Sequence, residues 1–135
     1  MKLTQRTALA FLLLFVFSFR SKAQIAGTFS VPGTFPTIAA AITTLNTMGV
    51  AGHVTIYVSA GHTETATAGG YKLYTIAGAA STAQVTFQKN GVGANPIIYA
   101  YSGGAATPTS SVQDGVWWLI GADYVTIDGI DITDP

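Results

Sequence analysis

Three groups of residues in the 135-residue chain have types and spacings that could do chemistry. His62 and Glu64 stand two positions apart, so an extended backbone would place both on one face, as a metal pair requires. A metal site needs three or four ligands with supporting contacts, and the nearest further histidine, His53, lies across a strand candidate. The favoured reading of His62 and Glu64 is therefore a solvated loop. Asp123, Asp128, Asp131 and Asp134 are the densest charge in the chain. Several carboxylate oxygens converging on one point suit Ca2+, which makes Asp123, Asp128 and Asp131 the candidate metal ligands and Ca2+ the one candidate ion. Paired carboxylates roughly 5 to 9.5 Å apart can also do acid–base work on a glycan. Against both uses, Asp128 and Asp131 are an odd number of residues apart with Gly129 between them. The competing reading is that these acids solvate an outer face, with Asp128 as a turn residue.

Trp117 and Trp118 are adjacent, so in a strand they point to opposite faces. One belongs to the core. The other, together with Tyr99 and Tyr101, is the candidate platform for stacking a sugar ring, a use that competes with ordinary packing because aromatics carry large burial energies in either role. Gly91-Val92-Gly93 lacks the strand–helix context of a phosphate loop. No local arrangement of nucleophile, base and orienting group stands out, so no catalytic residue is assigned.

These residues sit in a chain that is 49% hydrophobic and 9% charged, the reverse of a disordered composition. With no cysteine, disulfides, thiolate metal sites and a cysteine nucleophile are excluded together. Lys2 and Arg6 precede an unbroken apolar run from Ala8 to Phe19, and Ser21-Lys22-Ala23 supplies small residues where a signal peptidase reads. The run is 12 residues, well short of the ~20 that span a bilayer. Residues 1–23 are therefore expected to be a signal peptide, and 24–135 a secreted or cell-surface domain with no integral span. The segment from Gln24 keeps two cations, Lys72 and Lys89, against six carboxylates, a net charge of −4. A domain this acidic, with no basic patch, is excluded as a nucleic-acid binder.

The elements that must position the candidate residues begin with a helix. Ile38, Ile42, Leu45 and Met48 recur at spacings of four, three and three, Pro36 suits the first turn and Gly49 the C-terminal end. After Gly52 the pattern has period two. Val54, Ile56 and Val58 share a face, and Tyr71–Ile76, Ala83–Gln88, Pro96–Tyr101, Val116–Ile120 and Tyr124–Thr133 are further strand candidates. Val125 and Ile127 lie on one parity, Ile130 and Ile132 on the other. A straight strand cannot change its buried face, so the chain must bend at Asp128-Gly129.

Short strands joined by corners rather than two-residue hairpins, after one helix, favour an all-β fold of the right-handed parallel β-helix (solenoid) type, with the helix capping its first rung. The residues carry a resemblance that agrees. Gly33-Thr34-Phe35-Pro36-Thr37-Ile38, then Val54–Gly61 and Glu64, resemble the opening of pectin methylesterases. Thr86–Gly91 with Gly93–Ile98, and Gly121–Ile132, are similar to N-terminal regions of secreted, pectin-lyase-like β-helix proteins of Bacteroidetes type. The likeness covers nearly all of 24–135, and its motifs mark structure rather than chemistry.

The resemblance implies a cap and first rungs over 24–135, incomplete at the C-terminus, with an open edge that would take further rungs or self-associate. The signal, the acidic surface and the lack of a convergent catalytic cluster favour a structural or adhesive role, secreted or at the cell surface, with polysaccharide as the candidate partner. The alternative is the N-terminal fragment of a polysaccharide-active enzyme, an esterase or lyase, whose site lies on later rungs.

Overall fold

A computed structural model describes residues 23–101 and 115–134. The signal-peptide expectation over 1–23 lies outside these residues except at Ala23. Among the described residues no helix is long and apolar enough to cross a membrane.

The chain runs β1 (Ile25–Val31), α1 (Ile38–Met48), β2 (Val50–Ser59), β3 (Thr63–Thr65), β4 (Tyr71–Tyr74), β5 (Val85–Asn90), β6 (Ile97–Tyr99), β7 (Trp117–Ile120), β8 (Val125–Asp128) and β9 (Asp131–Thr133). These strands form three separate sheets, β1-β2-β5-β8, β3-β6-β9 and β4-β7, in which every neighbouring pair is parallel.

The expectation of an all-β parallel β-helix is corrected by this arrangement: among the described residues the fold is a set of separate parallel sheets plus one α-helix, with no solenoid repeat. A solenoid needs one structural unit that recurs at a fixed period. Along the largest sheet, the register partners Gly27, Val54, Val85 and Val125 are 27, 31 and 40 residues apart. The connection from β1 to β2 is a helix, whereas that from β2 to β5 contains two strands. The three sheets hold four, three and two strands.

The core lies between the sheets and α1. Val54, Ile56 and Val58 of β2 are buried, as their period-two pattern requires, and Val85 and Phe87 stand beside Val54 and Ile56 in register. α1 contributes Ile38, Ala41, Ile42 and Leu45, all on one face. Its start is set by Thr37, whose side chain accepts from the Ala40 N–H at 3.1 Å. Its end is set by Gly49, at φ 71° with its N–H donated to the Leu45 carbonyl.

α1 packs chiefly against β4, and one side chain ties the two together. Asn46 donates through Nδ2 to the Lys72 carbonyl (2.8 Å) and accepts through Oδ1 from the Tyr74 N–H (3.0 Å). Tyr71 of β4 donates its N–H to Val116 on the β7 side, so by ladder alternation Lys72 and Tyr74 present their backbone groups to the other side. The Asn46 amide thus occupies the outer edge of β4 as a neighbouring strand would, which protects an edge that would otherwise be free to pair.

Candidate functional site

The tightest cluster of titratable groups forms at the N-terminus of α1. β3 pairs with β6 so that Glu64 stands opposite Ile98, a fully buried residue. Glu64 therefore occupies an inward position where an apolar residue would be the default. Its side chain is only 9% exposed. Oε2 accepts from the Ile38 N–H (2.8 Å) and lies 3.3 Å from Nε2 of His62; Oε1 accepts from the Tyr71 hydroxyl (2.7 Å) and the Ala39 N–H (3.3 Å).

A burial of this kind is tolerated only where the carboxylate is fully partnered. Here the first-turn N–H groups of α1, which have no partner within the helix, supply two of the donors and the favourable end of the helix dipole. Burial pushes the Tyr71 phenol well above its usual range, and the hydrogen bond to Glu64 and its nearby charge act in the same direction.

In chemical terms the trio of carboxylate, phenol and imidazole resembles acid–base machinery, but its capacity is already committed. Two oxygens with about four acceptor sites meet four polar neighbours, and Tyr71 is 2% exposed. The cluster fastens β3 and β4 to the start of α1. Sequence reading placed His62 and Glu64 in a solvated loop; the structure puts Glu64 in β3, facing inward against the start of α1 with its side chain largely shielded. Its partners are Ile38 and Ala39, 26 and 25 residues earlier, and no local pattern reports that separation.

The candidate sugar-stacking residues are divided among three places. Trp117 points inward, in edge-on contact with Tyr71 and Phe87 at centroid distances of 5.2 Å each. Trp118 points outward from the β4-β7 sheet, half-buried, with its Nε1 donating to the Gly115 carbonyl at 3.0 Å. Its ring packs against Gly70 and Gly115, where an added Cβ would come within 2.9 Å and 2.8 Å of it. Tyr99 is on the outward face of β6 between Thr65 and Thr133, and Tyr101 follows that strand, exposed.

Sequence reading missed a second aromatic residue on the face that carries Trp118. Tyr74 is 48% exposed and lies diagonally across the ladder from Trp118, since Lys72 pairs with Trp118 and Tyr74 with Ile120. Alternation within Tyr71–Tyr74 carried the signal, because Tyr71 and Leu73 inward requires Lys72 and Tyr74 outward.

The candidate calcium ligands do not converge. Asp128 ends β8 in the four-stranded sheet, opposite Gln88. Asp131 begins β9 in another sheet and accepts from Asn95 Nδ2 at 3.0 Å. Asp123 lies in the exposed turn before β8. Among the described residues, no three of His, Asp and Glu come together in an arrangement that could hold a metal ion.

No known protein family, curated protein or solved structure matches the chain.

Proposed function

We propose that the chain is a secreted or cell-surface scaffold with a structural and adhesive role, binding neutral polysaccharide through the outward face of the β4-β7 sheet. The observation that carries this reading is that Trp118 and Tyr74 stand on that same outward face. Two aromatic rings held by a rigid ladder, with Lys72 and Ile120 beside them, offer apolar surfaces to the faces of sugar rings and lose little conformational freedom on binding. The commitment of Glu64 to the helix supports binding over catalysis as its role. The net charge of −4 over 24–135 disfavours polyuronates, whose carboxylates it would repel.

Affinity electrophoresis through gels containing soluble xylan, galactomannan, mixed-linkage glucan or polygalacturonate tests the proposal. The expected result is retardation by at least one neutral polymer and none by polygalacturonate. Trp118→Ala and Tyr74→Ala should each abolish most of the retardation while leaving the urea midpoint close to that of the parent. Migration unaffected by every neutral polymer would refute the proposal.

A further inference from the structure

The chain has three asparagines, Asn46, Asn90 and Asn95, and the fold leaves one of them free to react with its own backbone. Asparagine is thermolabile because the backbone nitrogen of the next residue can attack its side-chain amide carbon. Asn46 is protected twice. Both ends of its amide are bound to β4, and the next N–H, that of Thr47, lies inside α1 and is bound within the helix. Asn95 donates its Nδ2 to Asp131 and is followed by Pro96, whose nitrogen carries no hydrogen to lose.

Asn90 is the opposite case. It ends β5 in register with Ser59 and is exposed. The next residue, Gly91, has no side chain to shield its nitrogen and turns at φ 89°. The sheet leaves that nitrogen bare as well. The Asn90 carbonyl accepts from the Ala60 N–H at 2.8 Å on the β2 side, while Val85 donates to Tyr124 at 2.9 Å on the β8 side. Alternation from Val85 through Phe87 and Lys89 turns the Gly91 N–H to the β8 side. There β8 has already ended at Asp128, opposite Gln88, and Gly129 carries the chain into another sheet. Among the described residues the Gly91 N–H meets no backbone acceptor.

We propose that Asn90 is a site of spontaneous deamidation, converted to isoaspartate and aspartate as the folded protein ages. The Gly91 nitrogen loses its proton to hydroxide and bonds to Cγ of Asn90, and the Cγ–Nδ2 bond breaks. Nδ2 takes a proton from water and leaves as ammonia, which regenerates the hydroxide. One water then opens the five-membered imide. Opening at the side-chain carbonyl gives aspartate, and opening at the main-chain carbonyl gives isoaspartate, in which the chain runs on through Cβ and Cγ. Either product adds one negative charge. Isoaspartate also lengthens the backbone where this loop is fastened, since Ala60 and Gly61 donate to the Asn90 and Ala94 carbonyls at 2.8 and 2.9 Å. The bond from Gly61 to Ala94 therefore loosens in the aged chain.

The test incubates the purified chain at mildly alkaline pH, in native buffer and in urea. Pepsin digestion at acidic pH and tandem mass spectrometry then locate each gain of one mass unit, and labelling by an isoaspartyl methyltransferase identifies isoaspartate. Asp128, followed by Gly129, can form isoaspartate without a change of mass, so a product counts only where both signatures fall on one residue. In native buffer Asn90 should convert within about tenfold of its rate in urea, because the end of a strand frays at little cost. Asn46 should convert in urea alone, and Asn95 in neither condition. Asn90→Gln, which would need a larger ring, should remove the native gain. Native conversion of Asn90 slower than that tenfold limit, conversion of Asn46 in native buffer at a matching rate, or a gain at Asn90 without isoaspartate would each overturn the proposal.

Discussion

Replacing Glu64 with alanine should unfasten the start of α1. The change leaves the Ile38 N–H and the Tyr71 hydroxyl without their partner, and both residues are essentially buried. Each orphaned buried donor costs about 1–3 kcal/mol. The Ala39 N–H, held at 3.3 Å in a half-buried position, adds a few tenths. Thr37 still caps the Ala40 N–H, so the helix persists. The expected loss is about 2–6 kcal/mol, against a typical total of about 5–15 kcal/mol for a domain. At about 4 °C per kcal/mol, where the ranges for smaller and larger domains meet, the melting temperature should fall by roughly 8–24 °C. Glu64→Gln keeps one acceptor oxygen and turns an NH2 towards a donor, so it should lose about half as much. Urea unfolding followed by circular dichroism measures all three chains at constant slope. Combining Glu64→Ala with Tyr71→Phe closes a double-mutant cycle, with an expected coupling of about 1 kcal/mol or more. An alanine variant within ~0.5 kcal/mol of the parent would refute the reasoning, since surface substitutions cost no more than that.

Four further outcomes follow from the same contacts. The folded chain holds the Tyr71 proton to higher pH than the unfolded chain, whose phenol ionises near pH 10, so stability present below about pH 10 should decline above it by up to ~1.4 kcal/mol per pH unit. Tyr71→Phe should remove that decline, as read from urea midpoints across the alkaline range. Asn46→Ala exposes the outer edge of β4 and should cost about 1–3 kcal/mol by the same measurement. Gly70 sits at φ 77°, and a Cβ there would collide with the Gly115 carbonyl and stand 2.9 Å from the Trp118 ring. Gly70→Ala should therefore destabilise by more than ~1 kcal/mol and alter the tryptophan emission. Trp117→Ala removes an inward ring and should cost about 2–4 kcal/mol, whereas Trp118→Ala should cost less and act on polysaccharide retention instead.

How much of this was legible in the sequence depended on the range over which each residue acts. The helix declared itself through Ile38, Ile42 and Leu45 and runs from Ile38 to Met48. The reversal of parity between Ile127 and Ile130 marked a corner, and Gly129 does turn at φ 63° between strands of two different sheets. β1 escaped because Gly27 interrupts the alternation that Ile25, Phe29 and Val31 otherwise keep with the polar Thr28 and Ser30. β3 escaped because Thr-Glu-Thr has no apolar member, its inward residue being the carboxylate. The solenoid expectation went too far because period-two strands and corners report local geometry only. They do not report that register partners recur at 27, 31 and 40 residues, or that a helix fills the first connection.

Glu64 shows why that limit falls where it does. Judged alone, a charged residue between two threonines belongs in water, and the desolvation penalty of its carboxylate makes that the better guess. Inside the fold, the penalty is offset by groups that carry their own penalties. Buried N–H groups at a helix start and a buried phenol would be just as costly without an acceptor. Each member is unfavourable singly and tolerable only with the others, so no residue-by-residue reading finds the set. The same interdependence bears on function. A carboxylate whose oxygens are shared among a helix terminus, a tyrosine and a histidine cannot be released to a substrate without loosening α1. The group available for recognition without such a commitment is Tyr74, exposed on the outward ladder; Trp118 shares that face, half-buried, with its Nε1 held by the Gly115 carbonyl.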